Sequence, residues 1–197
     1  ADTWTFAGQT DLYEPMGTIL GDGQVIALSR GLGGAKLYNP ATNSWTAAPP
    51  LPAVNWVNFW SVSLTPLHGN AYFAGYGEAV TYSGGWSGVS SLLRNRNSHA
   101  ATAVGNGVML VGGLDANNNK LAEAEISGAT AGNLQTARTW HTATTLQDGR
   151  VLVVGGLGQG ATVLASTEIG APASFATATP TPTSTPTVTP TPTNTPT

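Results

Sequence analysis

The chain has 197 residues, a formal net charge of −3 and only 9% charged residues, against about a quarter in ordinary globular domains. It has no basic stripe or polybasic run, which argues against nucleic acid or an anionic membrane as partner. The absence of cysteine excludes a disulfide framework, thiolate metal sites and a cysteine nucleophile. No apolar run approaches a membrane-spanning helix, and a surface rich in Gly, Thr, Ala and Asn suits an extracellular or cell-surface protein.

Along the chain, short apolar runs rich in β-branched and aromatic residues alternate with Gly, Asn and Asp, and no window holds a helical period. The pattern predicts an all-β fold over residues 1–176. The run from Ala1 to Gly8 reads as the outermost strand of a sheet whose other strands do not lie upstream. A first unit then follows: Thr18-Ile19-Leu20, a turn at Asp22-Gly23, Val25 to Leu28, Ala35 to Tyr38, and Ser44-Trp45-Thr46. The aromatic segment Asn55-Trp56-Val57-Asn58-Phe59-Trp60 connects it to a second unit. That unit has Val62-Ser63-Leu64, Gly69-Asn70, Ala71 to Ala74, Ala79 to Tyr82 and a last strand near Trp86. Asp-Gly and Asn-Gly readily supply the positive φ angles of two-residue hairpin turns.

The third and fourth units repeat one another. Arg96-Asn97-Ser98-His99 leads to an apolar run ending in Gly112-Gly113 and then to Ala124-Glu125-Ile126. About 42 residues on, Arg138-Thr139-Trp140-His141 leads to Gly155-Gly156 and then Thr167-Glu168-Ile169. A period of this size marks an array of small sheets, each unable to bury its apolar faces alone.

The glycine doublets Gly112-Gly113 and Gly155-Gly156, with the spaced pair Tyr38 and Trp45 in YNPATNSW, resemble the Kelch-repeat β-propeller family, seen also in the propeller of galactose oxidase. The match departs from the family pattern at Ser29-Arg30, where the first doublet should lie, and at Ser127 and Gly170 in the Tyr slot. The resemblance implies a propeller of about four Kelch-like four-stranded blades. Two modes of closure fit: the N-terminal strand returns to complete the last blade, the favoured one, or the ring is completed, or the strand donated, between molecules, and such strand exchange would build a fibre. The resemblance does not carry the chemistry of galactose oxidase, which needs a cysteine-linked tyrosine and copper.

Several residue sets invite a chemical reading. His99 and His141 could serve as ligands or as acid and base, but their recurrence by repeat symmetry favours a structural role, as does the break in the series near Pro15 and near Phe59 or Trp60. Glu125 and Glu168, in equivalent third strands, are expected to pair with Arg96 and Arg138 rather than to act as acid and base. Asp115-Ala116-Asn117-Asn118-Asn119 has the alternating oxygens of half a calcium loop, but Lys120 and Ile126 stand where that loop needs Gly and Glu. An ordinary loop is expected, with no metal and no cofactor. Trp56, Asn58, Phe59 and Trp60, joined by Trp140 and Trp86, form a candidate platform for stacking a sugar ring.

Residues 177–197 alternate Thr and Pro, as in TPTPTSTPTV. Proline removes backbone donors and holds the chain near polyproline II, so the segment is expected to be a linker or stalk. Its composition makes Thr181, Thr183, Thr185, Thr187, Thr189, Thr191 and Thr193 candidates for O-glycosylation. The expectation for the whole is a secreted, non-catalytic structural or adhesive module that contacts other proteins or copies of itself. A carbohydrate-binding module is the second reading and a glycan-processing enzyme the third.

Overall fold

The computed structural model describes residues 3, 5–29, 34–53 and 62–171. The fold is all-β: four antiparallel sheets follow one another along the chain, and among the described residues helix is confined to one 3-10 turn at Gln159–Ala161. Sheet I holds β1 (Met16–Ile19), β2 (Val25–Leu28), β3 (Ala35–Asn39) and β4 (Ser44–Ala47). Sheet II holds β5 (Ser63–Leu67), β6 (Asn70–Gly75), β7 (Glu78–Tyr82) and β8 (Ser90–Ser91). Sheet III holds β9 (Ala100–Val104), β10 (Gly107–Val111), β11 (Glu123–Ile126) and β12 (Ala129–Asn133). Sheet IV holds β13 (Thr142–Thr145), β14 (Val151–Val154) and β15 (Thr167–Gly170), three strands among the described residues. Every sheet is a simple meander, so each strand pairs with its neighbour in sequence.

Two hairpin turns have two residues, as expected, but lie one position earlier than Gly69-Asn70 and Asn106-Gly107, since Asn70 and Gly107 already belong to the strands. His68 and Gly69, with φ +47° and +79°, join β5 to β6, and Gly105-Asn106 joins β9 to β10. The two Asp-Gly turns differ. Each sits in a five-residue loop closed by an amide-to-carbonyl bond, Leu20 N to Gln24 O at 2.7 Å and Leu146 N to Arg150 O at 2.7 Å. In each, the aspartate accepts from the amide two residues on: Gln24 for Asp22, Arg150 for Asp148. The carboxylate closes a wider turn, so a two-residue loop is not needed there.

The register shows which face each sheet offers to the next. Ile26 and Leu28 of sheet I meet Ala71, Phe73, Val80 and Tyr82 of sheet II. The opposite face of sheet II, with Tyr72, Ala74 and Ala79, meets Val108 and Leu110 of sheet III. Sheet III in turn places Met109, Val111, Ala124 and Ile126 on Val151 and Val153 of sheet IV. The middle strands of sheets II and III are thus buried on both faces, which explains why they read as unbroken apolar runs, whereas β14 of sheet IV is covered on one face only. The first strands, β1, β5, β9 and β13, pack against one another in that order. Among the described residues no packing of similar extent joins β13 back to β1.

Among the described residues, no N-terminal strand adds to sheet IV, as closure within one chain would require. The N-terminal segment runs along the outer side of sheet I. The Trp45 indole donates to Ala7 O at 3.1 Å and Asn43 Nδ2 to Phe6 O at 3.3 Å; Lys36 Nζ lies 2.6 Å from Asp11, and Tyr13 N donates to Ser29 Oγ at 2.9 Å. Trp45 and Lys36 both project from that side, and an indole N–H and an ammonium both need partners.

Candidate functional site

The repeated polar residues converge at the seams between sheets. Arg96 leaves the connection into β9 and buries its guanidinium beside sheet III. Its Nη1 donates to Gly112 O at 2.9 Å and Glu123 O at 3.1 Å, while Nη2 donates to Glu125 Oε2 at 3.0 Å. Glu125 completes its shell by accepting from the Leu93 amide at 3.3 Å. Arg96 and Glu125 are 1% and 0% exposed, a fully buried ion pair.

The next seam repeats the device. Arg138 Nη1 donates to Gly155 O at 2.8 Å and Ser166 O at 3.1 Å, and Nη2 reaches Glu168 Oε1 at 2.6 Å. Glu168 also accepts from the amides of Gln135 and Thr136. Burial raises the Glu168 pKa, but those two amides and Arg138 outweigh it and hold the carboxyl below its ordinary range. Each arginine therefore ties the end of an apolar strand, the third strand and the incoming connection into one knot. Both carboxylates are spent on amides and guanidinium, which leaves them poorly placed to exchange protons with a substrate.

The glycine doublets belong to the same knots. Gly113 and Gly156 have φ +100° and +93°, and a Cβ on either would lie 2.5 Å from a carbonyl oxygen, that of Asn97 or Thr139 respectively. The chain makes this close approach so that Leu114 can bridge to Asn97 and Leu157 to Thr139. Gly112 and Gly155 are the residues whose carbonyls receive the two guanidinium groups.

His99 and His141 stand one residue before β9 and β13. His99 Nε2 and Ser63 Oγ are 2.9 Å apart, a hydrogen bond linking sheets II and III. Burial, then the nearby Arg96 and His141, pushes the His99 pKa down to about 3. Burial and Arg138 push His141 down to about 4. Both rings are therefore neutral near neutral pH. Among the described residues, no three His, Asp or Glu side chains gather to hold a metal ion.

The remaining candidates are placed as follows. Asp115 Oδ1 accepts from the amides of Asn117 and Asn119, each at 2.8 Å, and Oδ2 accepts from Asn119 Nδ2 at 3.0 Å, so its oxygens fold the loop onto itself. Trp86 is committed to sheet II: it packs edge-on against Tyr82 with centroids 5.0 Å apart and donates to Pro49 O at 2.8 Å. Trp140 is the opposite case, 69% exposed on a backbone at φ +58°. Trp56, Asn58, Phe59 and Trp60 lie outside the described residues, as do Thr181 to Thr193. A groove of about 240 Å³ between sheets I and II, lined by Leu20, Asp22, Gln24, Gly69 and Tyr82 among others, is smaller than the roughly 300–1,000 Å³ of small-molecule sites.

Sequence reasoning missed two features. The face of sheet IV turned away from sheet III carries Leu152, Val154, Thr167 and Ile169, with Val154 41% and Ile169 50% exposed. The face of sheet I turned away from sheet II carries Gly17, Ile19, Val25, Ala27, Lys36 and Tyr38; Ile19 is 60% exposed, whereas Ala27 is buried at 4% on the side along which the N-terminal segment runs. The signal was present in the repeat, since Met109, Val111, Ala124 and Ile126 of sheet III are the counterparts of those sheet IV residues and are buried.

No protein-family model and no curated protein matches the chain. Among solved structures, that of YjhT superposes with a TM-score of 0.59 at 8% sequence identity, over 79% of this chain and 64% of that chain. The chain thus spans less than two thirds of that neighbour's length, and the likeness concerns the fold alone. Among the described residues, no helix is long and apolar enough to cross a membrane.

Proposed function

We propose that the four sheets are Kelch-like propeller blades and that the chain is a non-catalytic extracellular module acting through surface contact with proteins, copies of itself included. The observation that carries this reading is the fate of the repeated polar residues. Arg96, Glu125, Arg138 and Glu168 are consumed in tying each incoming connection to the sheet it enters, while largely apolar residues of sheets I and IV are left outward, Ile19 at 60% and Ile169 at 50% exposure. The first strands packed in chain order support the blade arrangement, since propeller blades stand with their first strands innermost. The Thr/Pro segment 177–197 would carry the module on an extended, O-glycosylated stalk. An intact mass on native material checks the stalk: hexose increments support glycosylation, and the bare mass refutes it.

The contact reading is tested by sizing the full chain across rising concentration and imaging it by negative stain. Large particles or fibres are the expected result; a monodisperse monomer at high concentration overturns self-association. Carbohydrate binding is the second reading, favoured by the exposed indole of Trp140 held on a left-handed backbone. It predicts that a glycan panel shifts tryptophan fluorescence and that Trp140→Ala, Trp56→Ala or Trp60→Ala abolishes the shift.

A further inference from the structure

The two outward faces are matched by the molecule's own repeat. By the register of their hairpins, Val25 and Ala27 in sheet I are the counterparts of Val151 and Val153 in sheet IV. Those two valines are the residues that seat sheet IV on sheet III, where they are 1% and 3% exposed. On the other side, Leu152, Val154, Thr167 and Ile169 are the counterparts of Met109, Val111, Ala124 and Ile126, the residues on which they sit. The chain therefore carries both halves of an interface it already builds internally, one half at each end; on sheet I the open part is Ile19, 60% exposed, while Ala27 is 4% exposed.

We propose that sheet I of one copy seats on sheet IV of a second copy, head to tail, repeating the packing of sheet IV on sheet III. The inference rests on the contact reading above and names its partner. Neither face offers an unpaired charge to bury: the sheet IV face has none among Thr142, Thr144, Leu152, Val154, Thr167 and Ile169, and Lys36 on the sheet I side is neutralised by Asp11. The N-terminal segment is compatible with the docking. Asp11 meets Lys36 of β3 as the connection ahead of β13 meets Glu168 of β15, so the segment stands where an incoming connection stands inside a seam. Using different patches on the two partners, the contact is heterologous and yields either a closed ring or an open chain.

The repeat also names residues that meet. Thr102 and Thr145 touch across the internal seam, their hydroxyl oxygens 3.0 Å apart. Their counterparts at the ends are Thr144 and Ile19. The chain has no cysteine, so Thr144→Cys and Ile19→Cys, made separately and mixed under mild oxidation, are expected to form a disulfide-linked heterodimer, with each variant alone giving far less.

The polarity is tested with charges on the full chain. Ile19→Lys blocks one face and Val154→Lys/Ile169→Lys the other. Each site is already exposed, so the melting temperature and circular dichroism of the variants stay at the wild-type values. Either variant alone is expected to raise the concentration needed for assembly by about a hundredfold or more, since a lysine must be desolvated. An equimolar mixture of the two is expected to stop at a one-to-one dimer, because one intact pair of faces remains. If wild type and both variants assemble alike, the head-to-tail contact is wrong while self-association stands. If wild type stays monomeric at every concentration, both fail.

Discussion

The two halves of the molecule hold similar sheets together by different chemistry. Sheets III and IV are locked by buried arginine–glutamate knots and glycine doublets, Arg96 with Glu125 and Arg138 with Glu168. Sheets I and II have no such knot among the described residues. Their seam is filled by Ile26, Leu28, Phe73 and Val80, and the outer strands are steadied by the aromatic pairs Tyr38–Trp45 and Tyr82–Trp86. In the first sheet the doublet position holds Ser29, whose hydroxyl accepts from the Tyr13 amide and donates back to its carbonyl. The comparison teaches that the repeat demands a satisfied backbone at the end of each buried strand, and that either an ion pair or a neutral hydroxyl can meet that demand.

The sharpest way to break the comparison is to remove one partner of a knot. Glu125→Ala leaves the Arg96 guanidinium buried without its counter-charge and is expected to cost about 3–5 kcal/mol. Glu168→Ala, at a pair whose carboxylate is 15% exposed, is expected to cost less, about 1–3 kcal/mol, because water reaches the orphaned charge. Urea denaturation of both variants ranks them. Equal losses would mean that burial does not set the strength of the knots. The double variant Arg96→Met/Glu125→Leu should recover much of the loss, since it leaves no unpaired charge.

A second difference is the acid sensitivity of the half that buries His99 and His141. His99 and His141 titrate at about 3 and about 4 in the fold and near 6.5 in the unfolded chain. Their folded pKa values are depressed, so between those limits the unfolded state binds the protons. Stability is full above pH 6.5 and falls as the pH drops, by up to about 1.4 kcal/mol per pH unit for each ring. Chemical denaturation at pH 7, 6 and 5 should trace this slope. His99→Gln, which keeps a group able to bond Ser63, should remove about half of it. An unchanged slope in that variant would assign the acid lability to other groups.

Much of this was legible in the residues because the repeat placed like with like. Arginine and glutamate recurring at matched offsets point to pairing, and a recurring Gly-Gly points to a backbone that no side chain fits. The face that each strand turns to its neighbour was not legible. Val108-Met109-Leu110-Val111 is apolar throughout, and only the sheets on either side decide that Val108 and Leu110 look back while Met109 and Val111 look forward. The path of the N-terminal segment was hidden for a related reason: its strand-like composition suits any open edge, and the choice is made by Trp45, Asn43 and Lys36, distant in sequence.

The smallest expected effect probes the aromatic half. Trp86 does two things at once: its ring packs on Tyr82, and its N–H ties the outer side of sheet II to Pro49, in the stretch that follows β4 of sheet I. Trp86→Phe keeps most of the ring contact and deletes only the donor, leaving the Pro49 carbonyl to water at an exposed site. The expected loss is about 1 kcal/mol, the net worth of one hydrogen bond, seen as a small drop in the urea midpoint with an unchanged slope. Trp86→Ala removes the ring as well and should cost roughly 2–3 kcal/mol more. If the phenylalanine variant loses as much as the alanine variant, the donor rather than the stacked ring holds this half together. The two halves would then share one strategy, in which a polar group reaching across the connection, and not apolar fit, fixes each sheet to its neighbour.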